Sequence, residues 1–307
     1  MTSNNEKSFL LQRILQKALQ ITEWFKDQNF KSYLKQDKSP VTLADYASQI
    51  YIISKLRKYF PDDSIIAEEK YIDTFDPDAE KLIKKCFKSL NIDLNLDFKD
   101  IINYSGVVSD YQWTIDPIDG TLGYQQGLSY AIGIGYMKSS DLLFSAIGVP
   151  HYNELGNAFF IAEKGCGAKI SYGDKRFNSI SVSKKDNLQQ ARICISLHYN
   201  KPWVFDFVKE AGITNSLQID SMLKFCMIAD GSADLYIKPM NMHNSFSWDY
   251  LPGTLLVKEA GGKVSDFNKK DVEFVYERCV ITSPGIISSN GLLHNNALNL
   301  LKQIKVS

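Results

Sequence analysis

Two aspartates three residues apart, Asp116 and Asp119, follow the apolar run Trp113-Thr114-Ile115 and lead into Gly120 and Thr121. Ending a strand in two acids concentrates negative charge, and like charges a few ångströms apart repel and push a pKa upward. A divalent cation removes that cost. A donor set made only of oxygen favours Mg²⁺, Mn²⁺ or Ca²⁺ over zinc, which would require His or Cys nearby. Pro117 fixes the turn, and Gly120 lets backbone amides come close to an anion. The plainer reading is a simple turn, because Asp-Pro and Asp-Gly are turn formers. Two further acidic sites bear on the choice. Glu68-Glu69 closes the short apolar run Ser64-Ile65-Ile66-Ala67, and Asp249 follows Ser247-Trp248 at the head of a helical stretch that stops at Gly261-Gly262. Taken alone, the first is a solvated loop and the second a helix cap.

The segments around these acids must deliver them to one place. Apolar residues at Leu10, Ile14, Ala18, Ile21 and Phe25 have helical spacing and predict an amphipathic helix over 7–30. A second helix fits 43–60, stopped by Pro61-Asp62-Asp63, and a short strand over 64–67 then carries Glu68 and Glu69. Residues 70–110 are weakly patterned, with a helix near 78–88. From Tyr111 onward strand signals come quickly, at 111–115, 130–137, 143–149 and 158–162, which predicts an antiparallel or mixed sheet. Strands at 192–196, 217–219 and 233–238 then alternate with helices at 201–211, 221–230 and 248–260, as in a second α/β layer. No flexible linker separates the halves, so a tight boundary near 155–185 and a cleft between packed halves are expected.

The chain of 307 residues is 44% hydrophobic, enough for a large core, and its 35 basic and 35 acidic residues cancel. No overall field favours nucleic acid or an anionic membrane, so an anionic ligand must be recognised locally. Cysteines 86, 166, 194, 226 and 279 are odd in number, lack C-x-x-C spacing and read as reduced, buried thiols. No apolar run approaches the ~18 residues of a membrane span, and the polar N-terminus does not read as a signal peptide. A cytoplasmic location is the expectation.

Asp116-Pro117-Ile118-Asp119-Gly120-Thr121, with Ala67-Glu68-Glu69 upstream and Trp248-Asp249 followed by Glu259-Ala260-Gly261-Gly262 downstream, resembles the inositol monophosphatase superfamily. The motifs occur in order across most of the chain. Within that superfamily, the stretch Lys35-Gln36-Asp37-Lys38-Ser39-Pro40-Val41-Thr42 followed by Ala44-Asp45 is similar to the 3'(2'),5'-bisphosphate nucleotidases. So are Asp220-Ser221-Met222-Leu223-Lys224 and Ala233-Asp234-Leu235-Tyr236-Ile237-Lys238.

The resemblance implies an α+β fold, a layered α-β-α-β-α sandwich of the inositol monophosphatase and fructose-1,6-bisphosphatase type. Its N-terminal half (1–165) would carry most metal ligands, and its C-terminal α/β half (166–307) would complete the metal site and substrate pocket. It further implies one Mg²⁺ at Glu68, Asp116 and the Ile118 carbonyl, a second at Asp116, Asp119 and Asp249, and a third through Asp37. Thr121, oriented by Asp37, would position the attacking water, with Glu68 holding it. Gly120, Thr121, His198, Ser221, Lys224, Lys238 and Asp249 would bind substrate. Two departures concern substrate preference: Lys238 stands where relatives often have Arg, and Leu122 where close relatives often have Lys. The implied reaction is lithium-sensitive hydrolysis of 3'-phosphoadenosine 5'-phosphate, or its sulfated analogue, by a monomer. An inositol-phosphate phosphatase is the alternative, and an inert nucleotide binder would have to lack one of these acids.

Overall fold

A computed structural model describes residues 4–28, 32–35, 40–70, 77–94, 97–173, 175–240 and 245–304. The first helix, α1 (Asn4–Lys26), buries Leu11, Ile14, Leu15, Ala18 and Phe25. It ends four residues earlier than the spacing predicts, because Lys26-Asp27-Gln28 interrupts the apolar stripe. A small hairpin of β1 (Ser32–Leu34) and β2 (Pro40–Thr42) leads into α2 (Leu43–Tyr59). Thr42 caps α2: its hydroxyl accepts from the Ala44 and Asp45 amides, while Asp45 accepts from the Thr42 amide at 2.8 Å. This reciprocal box satisfies donors that a helix start leaves open.

Next come β3 (Ser64–Ala67), α3 (Pro77–Ser89), α4 (Phe98–Ile102), β4 (Tyr111–Asp119) and α5 (Thr121–Gln125). Strands β5 (Ala131–Lys138), β6 (Asp141–Asn153), β7 (Gly156–Glu163), β8 (Gly167–Tyr172) and β9 (Asn178–Ile180) follow. β3 to β9 form a seven-stranded sheet in sequence order, parallel between β3 and β4 and antiparallel elsewhere. The boundary expected after 165 falls between β7 and β8, which pair directly, so the sheet runs on to Ile180.

The rest of the chain contains β10 (Arg192–Ile195), α6 (Pro202–Glu210), β11 (Asn215–Gln218), α7 (Leu223–Ala229), β12 (Leu235–Pro239) and α8 (Ser247–Glu259). It closes with β13 (Lys263–Asp266), β14 (Glu273–Val275), β15 (Arg278–Val280), β16 (Gly285–Ser289) and α9 (His294–Leu301). A five-stranded mixed sheet has the order β11-β10-β12-β16-β13, and β14 and β15 make a separate hairpin. Sequence reading missed α9 and the short pieces β1, β2, α4, β8, β9 and β13 to β16; the latter span three to six residues each, too few to establish a period.

The layers stack as α1 and α2, large sheet, α7 and α8, small sheet, and α6 and α9. The expected α-β-α-β-α sandwich is therefore present. Helix α8 lies between two sheets and is buried on nearly every side, with Leu251, Leu255, Leu256 and Val257 in the core. Four cysteines are buried, but Cys166 is exposed, because it sits on the turn between β7 and β8 rather than in an apolar strand. Among the described residues no helix is long and apolar enough to cross a membrane.

Candidate active site

The Asp-Pro-Ile-Asp segment does not simply end a strand. β4 continues through it with a bulge: Asp116 pairs with Gly133 and Asp119 with Ala131, so one extra residue is accommodated on β4. Bulges re-aim side chains, and here the Ile118 amide folds back to donate to Asp116 Oδ1 at 3.1 Å. β3 runs parallel to β4, and the Glu68 amide donates to the Ile115 carbonyl at 3.1 Å, which sets Glu68 beside Asp116. Asp249 arrives from the other half, in the first turn of α8. Carboxylate oxygens of Asp116, Asp119 and Asp249 lie within 4.8 Å of one another.

Burial pushes the Asp116 carboxyl well above its usual range, reinforced by the charges of Glu68, Asp119 and Asp249. Asp249 is raised by burial and by Asp119 and Glu68. Asp119 is pushed up to about 6 by burial, even though Lys224 and Lys238 pull the other way. Lys35 bridges Glu68 at 2.6 Å and Glu69 at 2.7 Å, which relieves only the edge of this cluster. Clustered acids with nothing but oxygen donors, Asp116 buried and Asp119 and Asp249 half-buried at the cavity wall, are held in mutual repulsion and fit a hard divalent cation. Glu68, Asp116, Asp119, Asp249 and the Ile118 carbonyl are the groups able to hold one.

Thr121 opens α5, directly after Gly120, whose φ of 92° is left-handed and available to glycine at little cost. The Thr121 hydroxyl lies 3.1 Å from both Asp45 Oδ1 and the Ile118 carbonyl. Asp37, expected to orient Thr121, lies outside the described residues. Within them the carboxylate that meets Thr121 is Asp45, fully buried and pushed up to about 6 by burial, with Glu68 adding to the rise. Sequence reasoning missed this role. The signal was present in the spacing Thr42-x-x-Asp45, a capping box that fixes one face of the aspartate and leaves its second oxygen to face β4.

The opposite wall comes from the second half. A cavity of about 400 Å³ is lined by Glu68, Asp116, Thr121, Ser221, Lys224 and Lys238, among others. Ser221 adopts a left-handed φ of 67°, uncommon for a residue with a side chain and a conformation that tends to persist at ligand clamps. The Lys224 ammonium donates to the Ile219 carbonyl at 3.1 Å and lies over the Tyr236 ring. Burial lowers its pKa to about 8, with the charge of Lys238 adding to the fall. Lys238 sits 5.5 Å over the exposed ring of Tyr199. His198 contacts Asp220 through Nδ1 and lies 3.2 Å from Gln126 Oε1 through Nε2. Its neighbours Tyr199 and Asp220 line the cavity; His198 stands behind them, braced between the two halves.

Residues 8–305 match the model of the inositol monophosphatase family. The chain is 27% identical to a 3'(2'),5'-bisphosphate nucleotidase of Emericella nidulans, across 98% of this chain and 99% of that protein. A 3',5'-bisphosphate nucleotidase of Arabidopsis thaliana is 29% identical over 82% of this chain and 83% of its own length. Among solved structures, an IMPase from Thermotoga maritima superposes with a TM-score of 0.71 at 23% identity, covering 97% of both chains. An inositol monophosphatase from Anabaena gives 0.68 at 21%, covering 99% of this chain and 98% of its own.

Proposed function

Because the chain belongs to the inositol monophosphatase family, we propose that it is a Mg²⁺-dependent, lithium-sensitive phosphatase that removes the 3'-phosphate of 3'-phosphoadenosine 5'-phosphate. Water attacks phosphorus, the 3'-oxygen leaves, and AMP and inorganic phosphate result. The observation that carries this reading is the pair Lys224 and Lys238 on the cavity wall that faces the acids. One phosphate at the acids needs no second pair of cations, whereas a substrate with a further phosphate does. The names of the nucleotidase relatives point the same way.

Glu68, Asp116, Asp119, Asp249 and the Ile118 carbonyl would hold two cations, with a third through Asp37. When bound, these ions stabilise charge on the attacking and leaving oxygens and make water easier to deprotonate. Asp45 accepts the Thr121 proton, which leaves the Thr121 oxygen to accept from the attacking water and orient it. The amides of Gly120 and Thr121 bind oxygens of the reacting phosphate. Lys224 and Lys238 neutralise the phosphate that stays, and energy from that remote contact is available at the reacting centre. Ser221 and Asp249 contact the sugar, and His198 braces Asp220 beside it. The first half supplies most cation ligands and the second half completes the pocket.

Lys238→Ala tests the assignment. It is expected to lower kcat/KM for the bisphosphate by about 10-fold or more, as loss of a charge-assisted contact worth ~1.5 to 3 kcal/mol requires. Turnover of 3'-AMP, which lacks the second phosphate, should change little. Equal losses on both substrates would show that Lys238 does not serve the remote phosphate.

A further inference from the structure

Met222 holds Asp119 directly, packs on the strand partner of Asp116, and shares the face of Gly133 with Pro252 of the helix that carries Asp249. Its backbone amide donates to Asp119 Oδ2. Its side chain is buried and occupies the space beside Gly133, where a Cβ would lie 2.5 Å from Met222 Cε and 2.6 Å from Sδ. Gly133 is the residue paired with Asp116 across β4 and β5. The same position is 3.5 Å from Pro252 Cγ, on α8 three residues after Asp249. On its other side Met222 is the residue just before α7, two residues before Lys224, and follows Ser221, whose Cβ stands 3.3 Å from where a Cβ on Gly120 would lie. An unbranched thioether can fill an irregular gap between a strand and a helix where a branched side chain could not.

We propose that Met222 is a positioning residue: its side chain is a wedge between β5 and α8 that fixes the amide holding Asp119, and so sets the spacing of the cation-binding acids. The proposal rests on reading Asp116, Asp119 and Asp249 as a cation site. Partners that orient ligands are worth about 10-fold to 100-fold in metal affinity. The segment from Ser221 to Lys224 thereby ties the substrate wall to the acid cluster. Shifting one should shift the other.

The test is titration of the purified full chain with Mn²⁺, without substrate, followed by calorimetry and by the electron paramagnetic resonance of free Mn²⁺. Met222→Ala is expected to weaken Mn²⁺ binding about 10-fold, and Met222→Leu, whose branched side chain does not fit the same gap, to weaken it in the same direction by a smaller factor. Gly133→Ala, which pushes the thioether out of its space, should weaken binding in the same direction. Leu298→Ala is the control, a fully buried truncation on α9 beyond the second sheet. It should lower the melting temperature while leaving Mn²⁺ affinity unchanged. Wild-type affinity in a folded Met222→Ala or Met222→Leu protein that is destabilised like Leu298→Ala would overturn the proposal, because a merely structural role predicts that pattern. If Met222→Ala does not fold, Met222→Leu and Gly133→Ala decide: unchanged affinity in both overturns it. No Mn²⁺ binding by the wild type would overturn the cation reading itself, and the proposal with it.

Discussion

Asp116→Asn will abolish phosphate release, lowering kcat by about 10³-fold or more, in a protein that still folds. Asn keeps the shape of the side chain, and its carbonyl oxygen can still accept from the Ile118 amide. What it removes is one charge and one anionic oxygen from the centre of the cluster, where Asp116 lies close to both Asp119 and Asp249. Loss of several kcal/mol of transition-state stabilisation by the ions corresponds to that rate, since about 1.4 kcal/mol is a factor of ten. Stability should move the other way. The folded pKa of Asp116 is raised, so its charged form is disfavoured on folding, and this penalty is present at neutral pH and relieved as pH falls. Asn removes the penalty, so the melting temperature in chelator should equal or exceed that of the wild type. The rise in melting temperature on adding Mg²⁺ should shrink. Turnover close to wild type would contradict the role assigned to the acids.

Thr121→Val is expected to cost about 10²-fold to 10⁴-fold in kcat, the usual range for a positioned proton-transfer group, with KM little changed. Valine matches threonine in shape but has no hydroxyl, so it can neither donate to Asp45 Oδ1 nor orient water. Thr121→Ser retains the hydroxyl and should restore most of the rate. Asp45→Asn should fall with Thr121→Val, and the double variant should be little worse than either single one, because the two groups act as a unit. The Asp45 carboxylate left without Thr121 is buried, so Thr121→Val should also lose about 1 to 3 kcal/mol of stability. A small kinetic effect from Thr121→Val, or additive losses with Asp45→Asn, would separate the pair from the chemistry. The measurement is single-turnover phosphate release under saturating Mg²⁺, with each variant's fold checked by circular dichroism.

The acids were legible because each sits where a pattern changes: Glu68 after an apolar tetrad, Asp116 after Trp113-Thr114-Ile115, Asp249 at the head of an apolar helix. Their convergence was not legible, since it depends on β3 lying parallel to β4 and on α8 threading between two sheets, both long-range pairings without a local signal. The bulge that aims Asp116 and Asp119 depends on β5 as much as on β4. Asp45 was quoted within a motif, yet its role was hidden, because helix capping and contact with Thr121 use opposite oxygens of one carboxylate. His198 was read as a substrate contact; its ring lies against Asp220 and Gln126, next to Tyr199 and Asp220, which line the cavity. Met222 was quoted within a motif but given no role, since a lone methionine reads as core and its place depends on the absence of a side chain at Gly133.

The most direct test of the central claim is phosphate release with Mg²⁺ from 3'-phosphoadenosine 5'-phosphate, inositol 1-phosphate and inositol 1,4-bisphosphate side by side, with and without lithium. The account predicts that the nucleotide exceeds both inositol phosphates by orders of magnitude in kcat/KM, that release stops in chelator, and that lithium inhibits it. An inositol phosphate turned over best would leave the acid cluster in place but contradict the assignment of Lys224 and Lys238. Undiminished release in chelator would contradict the cation site itself.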